Sequence, residues 1–414
     1  MCAEGVRLKI LFLGLSYADV AHESSLYTEL VEELSKADSD IQVVAPALDT
    51  SHKGPREEGD ISVLRVATGK LFGVNLFQKA LNNLLLPIRY FFALHSQYNE
   101  WQPEWIITPT PPITLTPLVW WLKRRTGARV YLILRDIFPQ NAVDLGFISR
   151  YGPVFGFFRL LEKWTYAVAD RIGCMSPRNV RYVIEHNPRI DANKLHLLPN
   201  WIAERHVAPD EELSKNMREE WGAKDNDLLC VFGGNLGKPQ QVGFLLDVAE
   251  VLRNEPNIHI VIVGCGTESA ILKEQIKTRM LDNLVLRSRL ARDDYQKLLA
   301  VVDVGFILLN QHFTIPNIPS RLTGYWVAGV AVLAATDTAT DLDEAFLAKY
   351  GGGDWVKMGD VQAFAEKLRT YANKPEMLNE MGKRGRRAIL QNFTAKKAAE
   401  TVLTEMSRLA AKAE

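Results

Sequence analysis

Residues 228–248, LLCVFGGNLGKPQQVGFLLDV, join an apolar strand, a glycine-rich segment and an apolar helix within one short stretch. This order of elements is typical of one unit of a parallel α/β sheet. The backbone N–H groups of Gly233, Gly234 and Gly237, the start of the helix and the side chain of Lys238 would together suit a phosphate. The stretch therefore predicts an α/β fold and a phosphate-bearing ligand.

Two more turns of this kind follow in the chain. A predicted strand over 258–263 leads into Gly264 and Gly266, and a later loop brings Ser320 and Arg321 to a helix. One such turn is weak evidence for a ligand, because glycine is common in the strand-to-helix turns of α/β proteins. Carboxyl ends of neighbouring parallel strands converge on one crevice, however. The set of three turns therefore predicts a nucleoside diphosphate.

The composition excludes several classes of protein. With 414 residues, 47% of them hydrophobic, the chain is long enough for two or three globular domains. A formal net charge of zero argues against a general nucleic-acid-binding protein. The four cysteines form no Cys-x-x-Cys pair, which favours a reducing cytoplasm. We expect no signal peptide, and the longest apolar stretches fall short of the roughly twenty residues that span a bilayer.

Short β-branched runs alternate with helical periods along most of the chain, which predicts parallel sheets. A first helix is predicted over 25–34. The predicted strands are 8–13, 41–45, 105–108, 129–134, 171–175 and 195–198, then one starting at 228, and 258–263, 284–286, 304–308 and 330–335. We therefore predict two Rossmann-like domains that face each other across a cleft. They are an N-terminal domain over 1–203, a linker over 204–226, a second domain over 227–393, and a C-terminal helix over 394–414 that could cross back to the first domain.

Three segments of the first half hold more apolar residues than one buried helix face needs. They are 71–101, 118–127 and 151–164, and each joins aromatic residues to Arg or Lys. Fifteen Lys or Arg residues stand against six acids between 61 and 181. Aromatic side chains beside cations are typical of a surface that contacts anionic lipid. The alternative is an aromatic core under a solvated basic face, but the combination favours membrane contact by this domain.

Arg135 and Asp136 directly follow the predicted strand over 129–134, so we expect them at its carboxyl edge. Transfer of a sugar from a diphosphate passes through an oxocarbenium-like centre and releases an anion. Cations are required at the leaving phosphate and a carboxylate or carbonyl near the sugar. Lys238 and Arg321 are the candidates for the first role and Asp136 for the acceptor or the donor sugar. A loop cap or an ion pair with Arg135 is the structural alternative for Asp136.

The loop after the first predicted strand supplies further candidates for contact with the acceptor. They are Ser16, His22 and Glu23. The neighbouring Ser24 or Ser25 could instead cap the first helix, since serine is a preferred N-cap residue. No histidine or acidic pair has metal-ligand spacing in the chain, so we expect no metal cofactor.

Five segments together resemble the GT-B glycosyltransferases of family 4, in particular the bacterial branch that includes N-acetyl-L-fucosamine transferases of O-antigen and capsule assembly. The resemblance covers nearly the whole chain. It implies retaining, metal-independent transfer from a nucleotide sugar, commonly a UDP-sugar. The implied acceptor is a polyprenyl-diphosphate-linked saccharide at the cytoplasmic face of the membrane, where the enzyme would be peripheral. The segments are FGGNLGK (232–238), VGCG (263–266), PSRLTGYWVAGVAVL (319–333), LRDIFPQNAVDLG (134–146) and EKWTYAVADRIGCMSP (162–177).

The predicted site accordingly has three groups of residues. The catalytic candidates are Asp136, Lys238 and Arg321. The candidates for acceptor binding are Ser16, His22, Glu23, Arg135 and Asp136. The candidates for donor binding are Gly234, Asn235, Gly237, Lys238, Gly264, Gly266, Arg289, Leu290, Ser320 and Arg321.

This chain departs from the family at positions that usually bind the donor. The Glu-x7-Glu pair that is usual in family 4 falls on Pro316 and Gly324, so both carboxylates are absent. The Arg and Lys of the usual diphosphate clamp fall on Asn235 and Gln240. The donor ribose must then be recognised in another way. Two other functions stay open at this point: a non-catalytic homologue that binds a lipid carrier or a partner, and a nucleotide-sugar epimerase or hydrolase.

Overall fold

The chain folds into two compact units in the computed structural model. The first unit consists of Met1–Pro199 and Ala395–Glu414, and the second consists of Asn200–Thr394. The residues that the structure describes are 7–15, 17–18, 25–37, 39–47, 53–69, 76–95, 101–204 and 217–410.

The first unit contains an eight-stranded sheet in the order β3-β4-β2-β1-β5-β6-β7-β8. Its neighbouring strands are parallel, except that β3 and β4 form an antiparallel pair at one edge. The strands are β1 (Leu8–Leu13), β2 (Ser39–Pro46), β3 (Gly54–Glu58), β4 (Ile61–Val66), β5 (Trp105–Pro109), β6 (Arg129–Leu134), β7 (Arg171–Cys174) and β8 (Leu195–Leu197). The helices are α1 (Leu26–Lys36), α2 (Leu76–His95), α3 (Thr116–Thr126), α4 (Gln140–Asp144), α5 (Pro153–Val168) and α6 (Pro177–His186).

The second unit contains a six-stranded parallel sheet in the order β11-β10-β9-β12-β13-β14. The strands are β9 (Leu228–Asn235), β10 (Ile258–Cys265), β11 (Leu284–Arg287), β12 (Val304–Leu308), β13 (Ala331–Thr336) and β14 (Gly353–Lys357). The helices are α7 (Phe244–Val251), α8 (Ser269–Thr278), α9 (Arg292–Leu299), α10 (Arg321–Val327), α11 (Glu344–Tyr350), α12 (Val361–Ala372) and α13 (Pro375–Asn392). The last helix, α14 (Ala395–Ala410), packs against α1 in the first unit.

Both faces of the second sheet are buried, as a parallel sheet covered by helices requires. Cys230 and Phe232 of β9 belong to an apolar cluster that includes residues of α7 and α12. The alternate residues Leu229 and Val231 belong to a second cluster with residues of α9 and α10. Side chains alternate across a strand, so β9 is fixed from both sides. The loops at its carboxyl end therefore start from a rigid base.

The predicted α/β class with two Rossmann-like units is confirmed. The predicted strands of the first unit pair in parallel, and the sheet is mixed because β3 and β4, which the sequence did not predict, are antiparallel. Neither strand of this hairpin was predicted, nor was β14. The sequence of β3, GPREE, carries a glycine, a proline and three charges. Such a composition protects an edge strand from pairing with another chain. It also lacks the β-branched residues by which the other strands were predicted.

Ser25 caps helix α1, and Ser24 lies outside the described residues. The Ser25 hydroxyl accepts from the Thr28 N–H at 3.3 Å, and the Thr28 hydroxyl accepts from the Ser25 N–H at 2.7 Å. We expect Ser25→Ala to lower the free energy of unfolding by about 1 kcal/mol, the usual cost of losing a serine cap. Urea denaturation measures this loss. Ser407→Ala, at an exposed position inside α14, is the control, and an equal loss in both variants would count against the cap.

Candidate active site

The order of the second sheet reverses beside β9. Strands β10 and β11 follow on one side of β9, whereas β12, β13 and β14 lie on the other side. The loops that leave β9 and β12 therefore diverge at their carboxyl ends, and ligands of open α/β sheets bind in the crevice at such a switch point. Most of the predicted donor-binding residues belong to these two loops or to the strand ends beside them.

Strand β9 includes Gly233 and Gly234, which the sequence placed in a turn. The Gly233 N–H donates to the Tyr325 hydroxyl at 3.2 Å, so the prediction that this group is available to a phosphate is wrong. A Cβ atom at Gly233 would lie 2.0 Å from the Tyr295 hydroxyl oxygen. The two tyrosine hydroxyls are hydrogen-bonded to each other, and burial raises the pKa of both. Gly233 is thus needed for the close approach of two aromatic side chains.

Gly234 lies directly against the guanidinium of Arg321. A Cβ atom at Gly234, whose φ is +145°, would lie 2.8 Å from Nη2 of Arg321. The Arg321 Cζ atom lies 4.4 Å from the centre of the Phe232 ring, within cation–π range. Burial lowers the pKa of Arg321, because it desolvates the charged form. Its Nη1 atom is buried and has no hydrogen-bond partner among the described residues. This group can therefore donate a hydrogen bond to an anionic oxygen.

Gly264 and Gly266 allow the loop after β10 to pack on the loop after β9. A Cβ atom at Gly264 would lie 1.9 Å from the Gly234 carbonyl oxygen, and one at Gly266 would lie 2.3 Å from the Leu236 carbonyl oxygen. The Leu236 N–H in turn donates to the Cys265 carbonyl at 2.9 Å. These two glycines therefore shape the crevice through backbone packing, which any larger residue would prevent.

Lys238 begins a short 3-10 turn, Lys238–Gln240, that follows Gly237, and its side chain is exposed. The Asn235 Nδ2 atom donates to Oε1 of the Gln240 side chain at 3.3 Å. Asn310, in the loop after β12, donates from Nδ2 to the Lys238 carbonyl at 2.9 Å. Sequence analysis missed Asn310, although its place just beyond a strand end was a usable signal.

Three other predicted donor-binding residues lie at different places in the second unit. Arg289 is exposed in the loop after β11. Leu290 is partly buried and packs against the apolar cluster of α9 and α10. Ser320 is exposed just before α10, and its side chain makes no capping hydrogen bond to that helix. Sequence analysis missed Tyr325, although its spacing of four residues from Arg321 places both on one face of α10.

The carboxyl edge of the first sheet holds Asp136, half-buried just beyond β6. Burial raises the pKa of its carboxyl group, and the charge of Arg135 opposes that rise. The Arg135 N–H donates to the Thr110 hydroxyl at 3.0 Å, and this hydroxyl donates to the Asp136 carbonyl at 3.3 Å. Thr110 therefore ties the loop after β6 to the loop after β5.

The Arg135 side chain is turned into the first unit, with 9% of the residue exposed. Its Nη1 atom donates to the Leu198 carbonyl at 3.3 Å. Its guanidinium is also hydrogen-bonded to Tyr27 of α1, and burial raises the pKa of that tyrosine to about 12 although the arginine charge opposes the rise. Arg135 therefore anchors the loop that carries Asp136. No sequence signal marked Tyr27, which lies within an ordinary helical pattern.

The other predicted acceptor residues, Ser16, His22 and Glu23, lie outside the described residues, and their roles stay predictions. A buried ion pair on the β3–β4 hairpin lies near this part of the chain: Arg65 and Glu58 are 2.6 Å apart. Arg65 also donates to the carbonyls of Tyr17 and Ala18 at 2.7 and 3.0 Å. The unpredicted hairpin thus holds the described part of the loop after β1.

An apolar face covers part of the first unit. Helix α3 packs against both α2 and α5, with Phe91 and Trp121 ring centres 4.8 Å apart and those of Trp120 and Trp164 6.0 Å apart. Of the thirteen exposed large hydrophobic residues in the described ranges, eleven belong to this unit. No described helix is long and apolar enough to span a bilayer. We define the apolar face as Leu81, Leu84, Ile88 and Phe92 of α2 and Val154, Phe157 and Leu160 of α5.

Two family models match the chain. The Glycosyl transferase 4-like domain matches residues 26–201, and Glycosyl transferases group 1 matches residues 214–388. WcaI of Escherichia coli, a glycosyl transferase assigned to colanic acid biosynthesis, is 25% identical over 353 residues, which cover 81% of this chain and 85% of WcaI. WbjE of Pseudomonas aeruginosa, assigned as a glycosyltransferase, is 23% identical over 245 residues, which cover 57% of this chain and 58% of WbjE.

Solved structures resemble the chain over nearly its whole length. Sucrose-phosphate synthase from Thermosynechococcus elongatus matches with a TM-score of 0.78 at 16% identity, over 98% of this chain and 100% of that one. HepE from Anabaena, in complex with UDP-glucose, matches with a TM-score of 0.71 at 15% identity, over 97% of this chain and 100% of that one. At these identities the likeness establishes a shared fold, the GT-B architecture.

Proposed function

The chain belongs to the GT-B glycosyltransferases of family 4, and from this premise we propose that it transfers a sugar from a UDP-sugar to a lipid-linked saccharide in bacterial surface polysaccharide synthesis. The observation that carries the proposal is the Arg321 guanidinium, which lies beside Gly234 at the carboxyl end of the central strand β9 with its Nη1 atom buried. A diphosphate oxygen is the kind of ligand that such a donor suits. The complexes of HepE with UDP and with UDP-glucose support the choice of nucleotide.

We propose that the reaction retains the configuration of the sugar and needs no divalent metal. Arg321 and Lys238 would offset the negative charge that develops on the leaving diphosphate, since preorganised cations act most strongly where charge appears in the transition state. The half-buried Asp136 would face the acceptor hydroxyl or the donor sugar, where positive charge develops. Burial raises the pKa of this carboxyl group, which favours its protonated form.

We propose that the acceptor is carried by a lipid, such as a polyprenyl diphosphate, at the inner face of the cell membrane. The apolar face supports this, because its residues on α2 recur every three or four positions and stay exposed. Arg124, whose Cζ lies 5.2 Å from the centre of the Trp120 ring, places a cation beside an exposed aromatic side chain. Such pairs suit the boundary between lipid headgroups and acyl chains. The name of the relative WcaI supports a role in polysaccharide synthesis.

A panel of nucleotides tests the donor class. A ligand that binds the folded state adds about 2.7 kcal/mol to stability at one hundred times its Kd, so we expect UDP and a UDP-sugar to raise the Tm. ADP, GDP and dTDP at the same concentration should raise it less. If no nucleotide raises the Tm, the proposed donor site is wrong. If only a nucleotide with another base raises the Tm, the donor is not a UDP-sugar.

Alkylation of the Cys265 thiol tests where the nucleotide binds. Cys265 is exposed in the loop after β10, whereas Cys174 and Cys230 are buried. In a Cys2→Ser background, we expect UDP to slow alkylation of Cys265 by about tenfold or more, as occupancy at ten times Kd predicts. Ser407→Cys, exposed in the first unit, is the control and should react at the same rate with and without UDP. A Tm shift without protection of Cys265 would place UDP elsewhere.

A further inference from the structure

Asn310 joins the two loops at the switch point of the second sheet. Its Nδ2 atom donates to the Lys238 carbonyl at 2.9 Å, and its backbone N–H donates to the Pro239 carbonyl at 2.9 Å. The Asn310 Oδ1 atom accepts from the His312 N–H at 3.0 Å. Asn310 is therefore fixed within its own loop while it holds the turn that begins at Lys238.

A second contact closes the same junction. Gln241 has φ 47° and ψ 47°, the left-handed region that residues other than glycine adopt only when their surroundings require it. Its Oε1 atom accepts from the Gln311 N–H at 3.2 Å, and its own N–H donates to the Lys238 carbonyl at 3.3 Å. The unusual backbone conformation thus serves the contact between the loops.

The loop after β12, whose Asn310 side chain contacts the Lys238 carbonyl, also leads to Arg321. Asn310 lies two residues beyond β12, and the same connection ends where α10 begins with Arg321. The loop after β12 therefore contacts the turn of Lys238 at one end and leads into Arg321 at the other, so it connects the two cations that we assign to the leaving diphosphate. A lysine side chain is long and flexible, so its ammonium group is directed to one point only if its backbone is held.

We propose that Asn310 is a positioning residue for sugar transfer: it fixes the turn so that the Lys238 ammonium meets the leaving diphosphate. This inference rests on the proposed function, in which Lys238 offsets the charge of that group. Asn310 itself need not touch the substrate. Loss of its side chain should slow the chemical step through Lys238 and leave binding of the acceptor unchanged.

The test is a double-mutant cycle with Asn310→Ala and Lys238→Ala, measured as kcat and KM for transfer. We expect Asn310→Ala to lower kcat about three- to tenfold, the range that one lost hydrogen bond supplies, with the acceptor KM unchanged. In the Lys238→Ala background the same change should have almost no further effect, because residues that act through one group are not additive. The matched control is Asn373→Ala, which removes an amide that donates to the Arg369 carbonyl at 2.8 Å elsewhere in this unit.

Each outcome of the cycle has one meaning. If Lys238→Ala transfers sugar at the wild-type rate, the assignment of Lys238 fails, and the inference fails with it. If Lys238→Ala lowers kcat, but Asn310→Ala lowers kcat by the same factor in the Lys238→Ala background as in the wild type, the inference alone is overturned.

A second variant tests the same inference if Asn310→Ala does not fold. Gln241→Gly removes the contact to Gln311 and relieves the left-handed backbone, so its Tm should be unchanged or higher. We expect kcat to fall in this variant as well, again without effect in the Lys238→Ala background. An unchanged kcat in a folded Gln241→Gly variant would show that the junction between the loops does not position Lys238.

Discussion

Arg321→Ala is expected to lower kcat/KM for sugar transfer about 100- to 1,000-fold, the usual loss when one preorganised group that stabilises transition-state charge is removed. Steady-state kinetics with the UDP-sugar measures it. The guanidinium is held by the Phe232 ring and by the close approach of Gly234, so it needs little rearrangement when the diphosphate leaves. The same variant should keep or raise its Tm in the absence of ligand, because a desolvated charge with an unused donor is removed.

Two further variants separate charge from geometry. Arg321→Lys keeps the charge but loses the planar fork and the contact with Phe232, so we expect an intermediate loss. Arg253→Ala removes an exposed arginine of the same unit and should leave kcat/KM unchanged. If Arg321→Ala transfers sugar like the wild type and UDP still raises its Tm, Arg321 does not belong to the donor site. A lower Tm together with the lost activity would instead indicate a structural role.

Local sequence patterns predicted the parts of the fold that depend on local forces. Strand β6 has the predicted ends at Arg129 and Leu134, because a continuous buried β-branched and aromatic run defines a central strand. The β3–β4 hairpin was missed because edge strands carry charges and proline for protection. This hairpin carries the buried pair of Arg65 and Glu58, so a region for which the sequence predicted no element holds a buried ion pair of the first unit.

Site residues could be predicted where their position at the end of a strand or the start of a helix is enough to place them in the site. Arg321 was found because a cation at the start of a helix beyond a strand is visible in the sequence. The bond from Gly233 to Tyr325 spans 92 residues, and that from Asn310 to Lys238 spans 72. Such pairs depend on which strands lie side by side, and that order is set by the packing of the whole sheet.

Membership of the family favours transfer over the epimerase or hydrolase reaction that the sequence left open. The missing carboxylates still require an explanation. A Cβ atom added at Gly324 would meet no atom within 4 Å, so the first side-chain atom of the family's glutamate would fit at this position. Under the proposed function, we expect backbone groups or water to bind the donor ribose, since a well-placed water costs little.

Phe92→Ser with Leu160→Ser is expected to weaken binding to vesicles that contain anionic lipid about 30- to 150-fold. These side chains of the apolar face are 71% and 70% exposed, and moving two large apolar groups from water into the interface contributes about 2–3 kcal/mol together. A sedimentation assay with vesicles measures the partition coefficient. The double variant should keep its Tm, because neither side chain contributes to the core, and it should keep the Tm shift with UDP.

A matched pair in the second unit shows whether exposed apolar area or its location matters. Ile271 and Met280 are 55% and 69% exposed, so Ile271→Ser with Met280→Ser removes similar area without touching the apolar face. We expect vesicle binding of this pair to stay at the wild-type level. Equal weakening by both pairs would mean that exposed apolar area acts regardless of its position, and the first unit would lose its assignment as the membrane-contacting surface. Unchanged binding in both would shift the contact to cations such as Arg124, whose contribution falls with added salt whereas that of an apolar face does not.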